Sequence, residues 1–273
     1  MSRIKEFLKP RSVREAVERL REKAGRVPLA GGTFLGVHCP PRVTGLVDLS
    51  EVGLDYVRRD GEAVLIGAMT TLAGLADSRL SGALGRFAGE AATEPLRQMI
   101  TVGGNVMVPL RWSDLPLVLY VMEAEFAVVG ERKRTYKAEE FFGRLQASAS
   151  KGGELLTEVR LRGLSGLRVA RRKLVRNYGD IPGVQVAVAC RVRRGVMEGV
   201  RVAYVGQRAI PRRLKGVEGE LEGRRPLGEV LERASSVARE EAGTLTDVRY
   251  SSEYLREMVG RYVARAIEEC SDG

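Results

Sequence analysis

Apolar positions first recur at helical spacing. Val13, Ala16, Val17 and Leu20 fall on one face of a stretch that Ser12-Val13-Arg14-Glu15 opens as a capping box, which predicts a helix to about Lys23, ended by Gly25. Val27-Pro28-Leu29 predicts a short extended piece and Leu46-Val47-Asp48-Leu49 a strand. Asp60-Gly61, set between the alternating Tyr56-Val57-Arg58 and Ala63-Val64-Leu65-Ile66, signals a hairpin. Thr70 or Thr71 caps a helix through Leu75, and a second helical stretch runs from about Ser81 to Ala92 until Glu94-Pro95 stops it. Asp114, with Pro116 in the first turn, suits the cap of a helix over Leu117 to Met122. Glu125 to Val129 and Arg132 to Tyr136 pair around Gly130-Glu131, and Leu155 to Leu161 reads as a further strand.

The pattern then changes character. Val169 to Val175, Val184 to Val192 and Met197 to Val205 are three strands joined by polar turns, as in an antiparallel sheet, and helical stretches follow at about Pro211 to Leu221, Leu227 to Ala242 and Ser252 to Glu268. Tyr254, Met258, Tyr262 and Ala266 recur every four residues, the spacing of a core-facing stripe. The expected organisation is an αβ subdomain over residues 1–52, a second over 53–163, and a C-terminal domain over 164–273 of antiparallel sheet and helices.

Composition removes some functions. A length of 273 residues suits two or three subdomains, and 44% hydrophobic with 29% charged residues is ordinary for a globular protein. The net charge of +10 invites a polyanion partner, yet acids interleave with the bases from Arg11 to Lys23, and 5% aromatics leaves little for a base-stacking platform. No nucleic-acid partner is expected. The strongly basic segment is Arg168 to Arg176, an exposed strand or a phosphate-facing edge. Cys39, Cys190 and Cys270 are too far apart in sequence to form a metal knuckle, so no metal site is assigned to the chain. His38 has no carboxylate or cysteine ligand pair at usable spacing and is read as structural. With no signal peptide and no apolar run near 18 residues, no transmembrane segment is expected and the cytoplasm is the expected location. The Arg- and Glu-rich composition also suits a thermophile.

Candidate chemistry lies in two glycine turns. Leu29-Ala30-Gly31-Gly32-Thr33-Phe34-Leu35-Gly36 and Thr101-Val102-Gly103-Gly104-Asn105 share the grammar of a hydroxyl or amide beside a glycine pair. Adjacent glycines leave backbone N–H groups uncovered and permit positive φ, so such loops can wrap a phosphate. Neither ends in GK[ST], and neither is GxGxxG opening a helix, which argues against a Walker loop and a Rossmann site. No nucleophile elbow, Cys–His pair or close carboxylate pair marks an independent catalyst, and no catalytic residue is assigned. What remains is a cradle of backbone amides from two loops, with the hydroxyls of Thr33 and Thr101 and the amide of Asn105. Asp114 is either a helix cap or an acceptor for ligand hydroxyls.

LAGGTFLG at 29–36, TVGGN at 101–105 and SDLP at 113–116, in this order and separation, resemble the FAD-binding medium subunit of the molybdenum hydroxylases, the family of xanthine dehydrogenase, carbon monoxide dehydrogenase and aldehyde oxidoreductase flavoproteins. LLTEVRL at 155–161, RNYGD at 176–180 and the final DVRYSSEYLREMV extend the likeness over nearly the whole chain. The resemblance implies an α+β fold of the vanillyl-alcohol-oxidase type, two αβ subdomains holding FAD, then a three-stranded antiparallel sheet with a helix bundle. It implies that the loop of Pro28, Leu29, Ala30, Gly31, Gly32, Thr33, Phe34 and Leu35, together with Thr101, Gly103 and Gly104, holds the pyrophosphate, with Asn105 ordering the second loop. Asp114 takes ribityl or ribose hydroxyls, Leu156 lies at the isoalloxazine edge through its backbone, and one of Arg172 and Lys173 lies close to the flavin.

The implied function is electron transfer. FAD takes electrons from the [2Fe–2S] clusters of a small partner subunit, fed by a molybdopterin-binding large subunit, and passes them to NAD, a quinone or another acceptor. The implied assembly is a heterotrimer or its dimer. Two departures stand out. Met107-Val108-Pro109-Leu110-Arg111-Trp112 is bulky where the family carries small polar residues, and Phe34 stands where polar or acidic residues are frequent. The competing readings are a flavin-free structural subunit of the same fold, for which the 107–112 segment speaks, and a basic nucleic-acid-binding protein, which the interleaved acids disfavour.

Overall fold

The computed structural model describes residues 4–146, 153–177 and 179–272. It contains two compact units, one of Met1–Val108 with Ala124–Arg162, the other of Pro109–Glu123 with Gly163–Gly273.

The first unit opens with β1 (Glu6–Leu8), α1 (Val13–Glu22), β2 (Arg26–Leu29) and β3 (Gly45–Asp48), whose strands form a parallel sheet in the order β1-β3-β2. The Ser12 half of the capping box forms, Ser12 Oγ accepting from the Glu15 amide at 3.2 Å, while the Glu15 carboxylate takes the amide of Arg11, one residue before the cap, at 3.0 Å. Ala16, Val17 and Leu20 bury the helix face against Val47, Leu49 and Leu155. The Asp60-Gly61 hairpin follows as β4 (Val57–Asp60) and β5 (Ala63–Gly67), with Gly61 at φ +59°. Four short helices come next, α2 (Leu72–Asp77), α3 (Gly82–Gly89), α4 (Glu94–Arg97) and α5 (Val102–Met107). Thr71 rather than Thr70 caps α2, accepting from the Gly74 amide at 3.0 Å. Thr70 instead bonds both backbone groups of Tyr56.

After α6 (Leu115–Val121), which belongs to the second unit, the chain returns to the first with β6 (Glu125–Val129), β7 (Lys133–Lys137), α7 (Ala138–Gln146) and β8 (Leu155–Leu161). These complete a five-stranded antiparallel sheet in the order β4-β5-β8-β6-β7. The pattern gave no notice of α7. It is held by aromatic packing, Phe141 stacking on Phe126 at 4.1 Å between ring centres and Phe142 meeting both edge-on.

The second unit contains β9 (Arg168–Lys173), β10 (Gln185–Arg193), β11 (Val196–Val205) and β12 (Arg212–Arg213) in an antiparallel sheet of order β12-β11-β10-β9, then α8 (Lys215–Leu221), α9 (Glu229–Glu241) and α10 (Ser252–Asp272). Val186, Val188, Met197, Val202 and Tyr204 on the sheet pack with Leu255, Val259, Val263 and Ile267 of α10 in one core. Of the four-residue stripe expected in α10, only Ala266 is fully buried; Met258 and Tyr262 pack at the edge of the core and Tyr254 is exposed. Residues 109–123, expected in the second αβ subdomain, fold with this unit instead. The reason is α6, whose seven residues are all buried and which packs on β10 and β11.

Candidate functional site

In the first unit the two glycine turns come together through their backbones. A Cβ on Gly31 would lie 1.6 Å from the Met99 carbonyl oxygen and 2.6 Å from its carbon, so the first turn approaches the chain just ahead of Thr101 more closely than any side chain permits. Gly32 takes φ +71°, and Gly36 N–H then closes on Gly32 O at 2.8 Å. The second turn is zipped onto the segment after β5: Val102 N–H donates to Thr70 O and Gly103 N–H to Ala68 O, both at 2.8 Å, and Leu72 N–H donates to Ile100 O at 2.8 Å. A Cβ on Gly103 would sit 2.8 Å from Ala68 O.

The turns therefore differ in what they offer. No acceptor among the described residues takes the amide hydrogens of Gly31, Gly32, Thr33, Phe34 or Leu35, a half-buried run of five donors. Four amides of the second turn are committed: besides those of Val102 and Gly103, that of Asn105 donates to Thr101 O at 2.9 Å and that of Gly104 to Thr101 Oγ1 at 3.1 Å, which makes Thr101 the cap of α5. The sequence suggested amides from both loops; the structure leaves those of the first, and from the second the amide of Thr101 and its O–H, whose oxygen already accepts. The Thr101 residue is 3% exposed, and Gly104 and Asn105 are half-buried. Phe34 stacks on His38 with 5.3 Å between ring centres, giving the lone histidine a packing partner at the tip of the first turn.

Leu156 is buried in β8 beside an irregularity in the ladder. Ala127 pairs with Glu158 but Val128 with Leu156, so Thr157 is an extra residue, its Oγ1 donating to Ala127 O at 3.1 Å and its carbonyl accepting from Ala68 N–H at 3.0 Å. Ala68 thus links Leu156's neighbour to Gly103. Glu158, also buried, receives the Tyr56 hydroxyl at 2.8 Å; burial, then this carboxylate, push the phenol up to about 12.

In the second unit Asp114 occupies the cap position of α6 but makes no side-chain cap bond. Its carboxylate turns to β9, where Arg171 Nη1 donates to Oδ1 at 2.7 Å and Lys173 Nζ bonds the same oxygen. Of the two readings of Asp114, the helix cap is the one not made. The alternation of a strand explains which base is used: Arg171 and Lys173 share one face, and Arg172 points the other way, pairing with Glu269 of α10 at 2.7 Å. Lys173, not Arg172, therefore lies beside Asp114. Arg171, only 2% exposed in its side chain, is the partner that sequence reasoning passed over, although the i, i+2 spacing from Lys173 carried the signal. The bulky 107–112 segment is divided between the units. Met107 ends α5, whereas Arg111 bonds Asp247 and Pro182 O, each at 3.1 Å, and its carbonyl accepts from Gln185 at 2.7 Å. In the RNYGD stretch, Asp180 pairs with Arg176 at 3.1 Å and Arg249 at 3.4 Å; Tyr178 lies outside the described residues.

Residues 2–161 match the family described as the FAD binding domain in molybdopterin dehydrogenase, and residues 169–270 match the CO dehydrogenase flavoprotein C-terminal domain. The chain belongs to the FAD-binding medium subunits of the molybdenum hydroxylases. It is 26% identical over 272 residues to the glyceraldehyde dehydrogenase medium chain of Sulfolobus acidocaldarius, covering 96% of this chain and 97% of that one. It is 28% identical over 273 residues to the carbon monoxide dehydrogenase medium chain of Hydrogenophaga pseudoflava, covering 96% and 95%. Among solved structures, a cyanide-inactivated form of the Cu,Mo-CO dehydrogenase superposes with a TM-score of 0.88 at 27% identity over 98% of this chain and 97% of that one. This medium subunit is accordingly a flavoprotein component of a molybdopterin-dependent oxidoreductase, with the α+β FAD-binding fold that its motifs implied. Among the described residues no helix is long and apolar enough to cross a membrane.

Proposed function

We propose that this subunit carries electrons out of a heteromeric molybdenum hydroxylase, from the [2Fe–2S] clusters of a small partner subunit, reduced by a molybdopterin-binding large subunit, to NAD, a quinone or another diffusible acceptor, within a soluble cytoplasmic heterotrimer or its dimer. The observation that carries the reading is the row of five unclaimed amide hydrogens at Gly31–Leu35, held by backbone contact against the second glycine turn. Such a row is an anion receptor that needs no cationic side chain, which fits the pyrophosphate of FAD.

Each residue then has a task. The loop from Pro28 through Ala30 delivers the turn from β2, and Gly31 to Leu35 donate to phosphate oxygens. Gly31 and Gly103 serve as close-approach positions, and Thr101, with its oxygen already accepting from Gly104, directs its O–H proton to the ligand. Asn105 in α5 supports the second turn. Leu156, next to the extra residue of β8, presents backbone to the flavin edge. In the second unit Asp114, fixed by Arg171 and Lys173, accepts from ribityl or ribose hydroxyls. When bound, FAD supplies the chemistry, accepting electrons singly and releasing them singly or as a hydride. The protein's share is orientation and electrostatics.

The test begins with colour. The purified subunit is expected to show flavin bands at roughly 370 and 450 nm and to release FAD, not FMN, on acid extraction. A colourless protein that FAD does not reconstitute would favour the structural-subunit reading. In the complex isolated through this chain, molybdenum and iron are expected. Flavin removal should stop acceptor reduction while substrate still reduces the clusters, and unchanged acceptor reduction refutes the electron route.

A further inference from the structure

Two of the three cysteines meet in the core of the second unit. Cys190 on β10 is fully buried and Cys270 on the last turn of α10 is 3% exposed. Val188 and Cys190, two residues apart, share the face of β10 that packs on α10. The Cys270 thiol reaches Val188 O at 3.8 Å, on the strand and in the core that also hold Cys190. A third strand fixes the arrangement: Arg168 of β9 lies opposite Cys190 in register, and its Nη1 holds the carbonyls of Cys270 and Ser271, each at 2.9 Å. The end of α10 is thus clamped with its thiol over the Cys190 position.

We propose that Cys190 and Cys270 form a disulfide that cross-links the sheet to α10 whenever the chain folds in the presence of a small-molecule disulfide. In the exchange, the Cys190 thiolate attacks one sulfur of the small disulfide, forming a mixed disulfide and releasing one thiolate. Cys270 loses its proton and attacks the Cys190 sulfur, closing the protein S–S bond and releasing the second thiolate. Two protein thiols are oxidised and one small disulfide is reduced to two thiols, so atoms and electrons balance. Cys39 is exposed and has no part in the step.

The full chain, reduced and unfolded in denaturant, would be refolded in mixtures of reduced and oxidised glutathione, quenched in acid, alkylated and weighed; refolding removes burial as a barrier to reaction. A product carrying one alkyl group instead of three is expected, containing a 190–270 linked peptide with Cys39 alkylated. Its melting temperature should rise by roughly 10 °C, a gain absent in Cys190→Ser and kept in Cys39→Ser. Full alkylation of Cys190 and Cys270 after refolding in the most oxidising mixture, or a linked peptide that includes Cys39, would overturn the proposal.

Discussion

Gly31→Ala isolates the close approach on which the anion receptor depends. Its Cβ would be placed 1.6 Å from the Met99 carbonyl oxygen, whereas real contacts stay beyond 3.0 Å. The first turn must therefore retreat by roughly 1.4 Å from the second, because the obstacle is backbone and not a side chain able to rotate. A shift of that size takes amide donors out of register with phosphate oxygens fixed by the rest of the ligand. With each hydrogen bond to a charged acceptor worth about 1.5–3 kcal/mol, losing two costs about 3–6 kcal/mol, or about two to four decades of FAD affinity. Gly32→Ala is the informative contrast: its Cβ meets only Leu29 Cδ1 at 3.6 Å, and the penalty is left-handed strain of about 1–2 kcal/mol. Gly53→Ala, with φ +77° and no neighbour within 4 Å, carries the same strain away from the turns and should leave FAD binding alone. The assay is FAD titration by flavin fluorescence, with thermal unfolding recorded beside it. If Gly31→Ala binds FAD within about threefold of wild type while folded, the donor argument fails.

Further outcomes follow from the same geometry. Thr101→Val removes the acceptor for the Gly104 amide and the proposed ligand hydroxyl, so a loss of about 1 kcal/mol in stability should accompany roughly tenfold weaker FAD, whereas Thr101→Ser should retain both; calorimetry and titration read the two effects separately. Asp114→Asn leaves Arg171 buried beside Lys173 without their carboxylate and should destabilise the second unit by about 3–5 kcal/mol in denaturant unfolding. Arg172→Ala breaks only the half-exposed pair with Glu269, and a change above about 1 kcal/mol would contradict the assigned strand faces. Tyr56, whose phenol is raised by burial and by Glu158, contributes stability that is present below about pH 10 and lost as the pH climbs to about 12, since the unfolded chain ionises first. Tyr56→Phe should flatten unfolding free energy over that window, and an unchanged slope would discount the Tyr56–Glu158 bond.

Local patterning was enough for most elements. The capping box over α1, the Asp60-Gly61 hairpin, the β6–β7 pair and the three long strands of the second unit lie within a few residues of where periodicity puts them, because each is stabilised by contacts close in sequence. β1 has three residues and pairs with a strand nearly forty positions on, and α7 depends on Phe126 across the sheet, so neither leaves a short-range signal. The site was legible at the level of motif, since two glycine pairs in one order and spacing are a property of the chain.

What the sequence determined by itself was the inventory: two turns able to expose amides, a carboxylate at the start of a helix, three consecutive bases, and a family likeness that named the ligand. Tertiary structure decided which members are available. It committed the amides of Val102 to Asn105 to Ala68, Thr70 and Thr101 and left those of Gly31 to Leu35 unclaimed among the described residues. It also turned Asp114 from its own helix to Arg171 and Lys173 and sent Arg172 to the opposite face. The reason is that hydrogen-bond capacity is read from one residue at a time, but its satisfaction depends on partners tens of positions away, which only the folded chain brings within 3 Å.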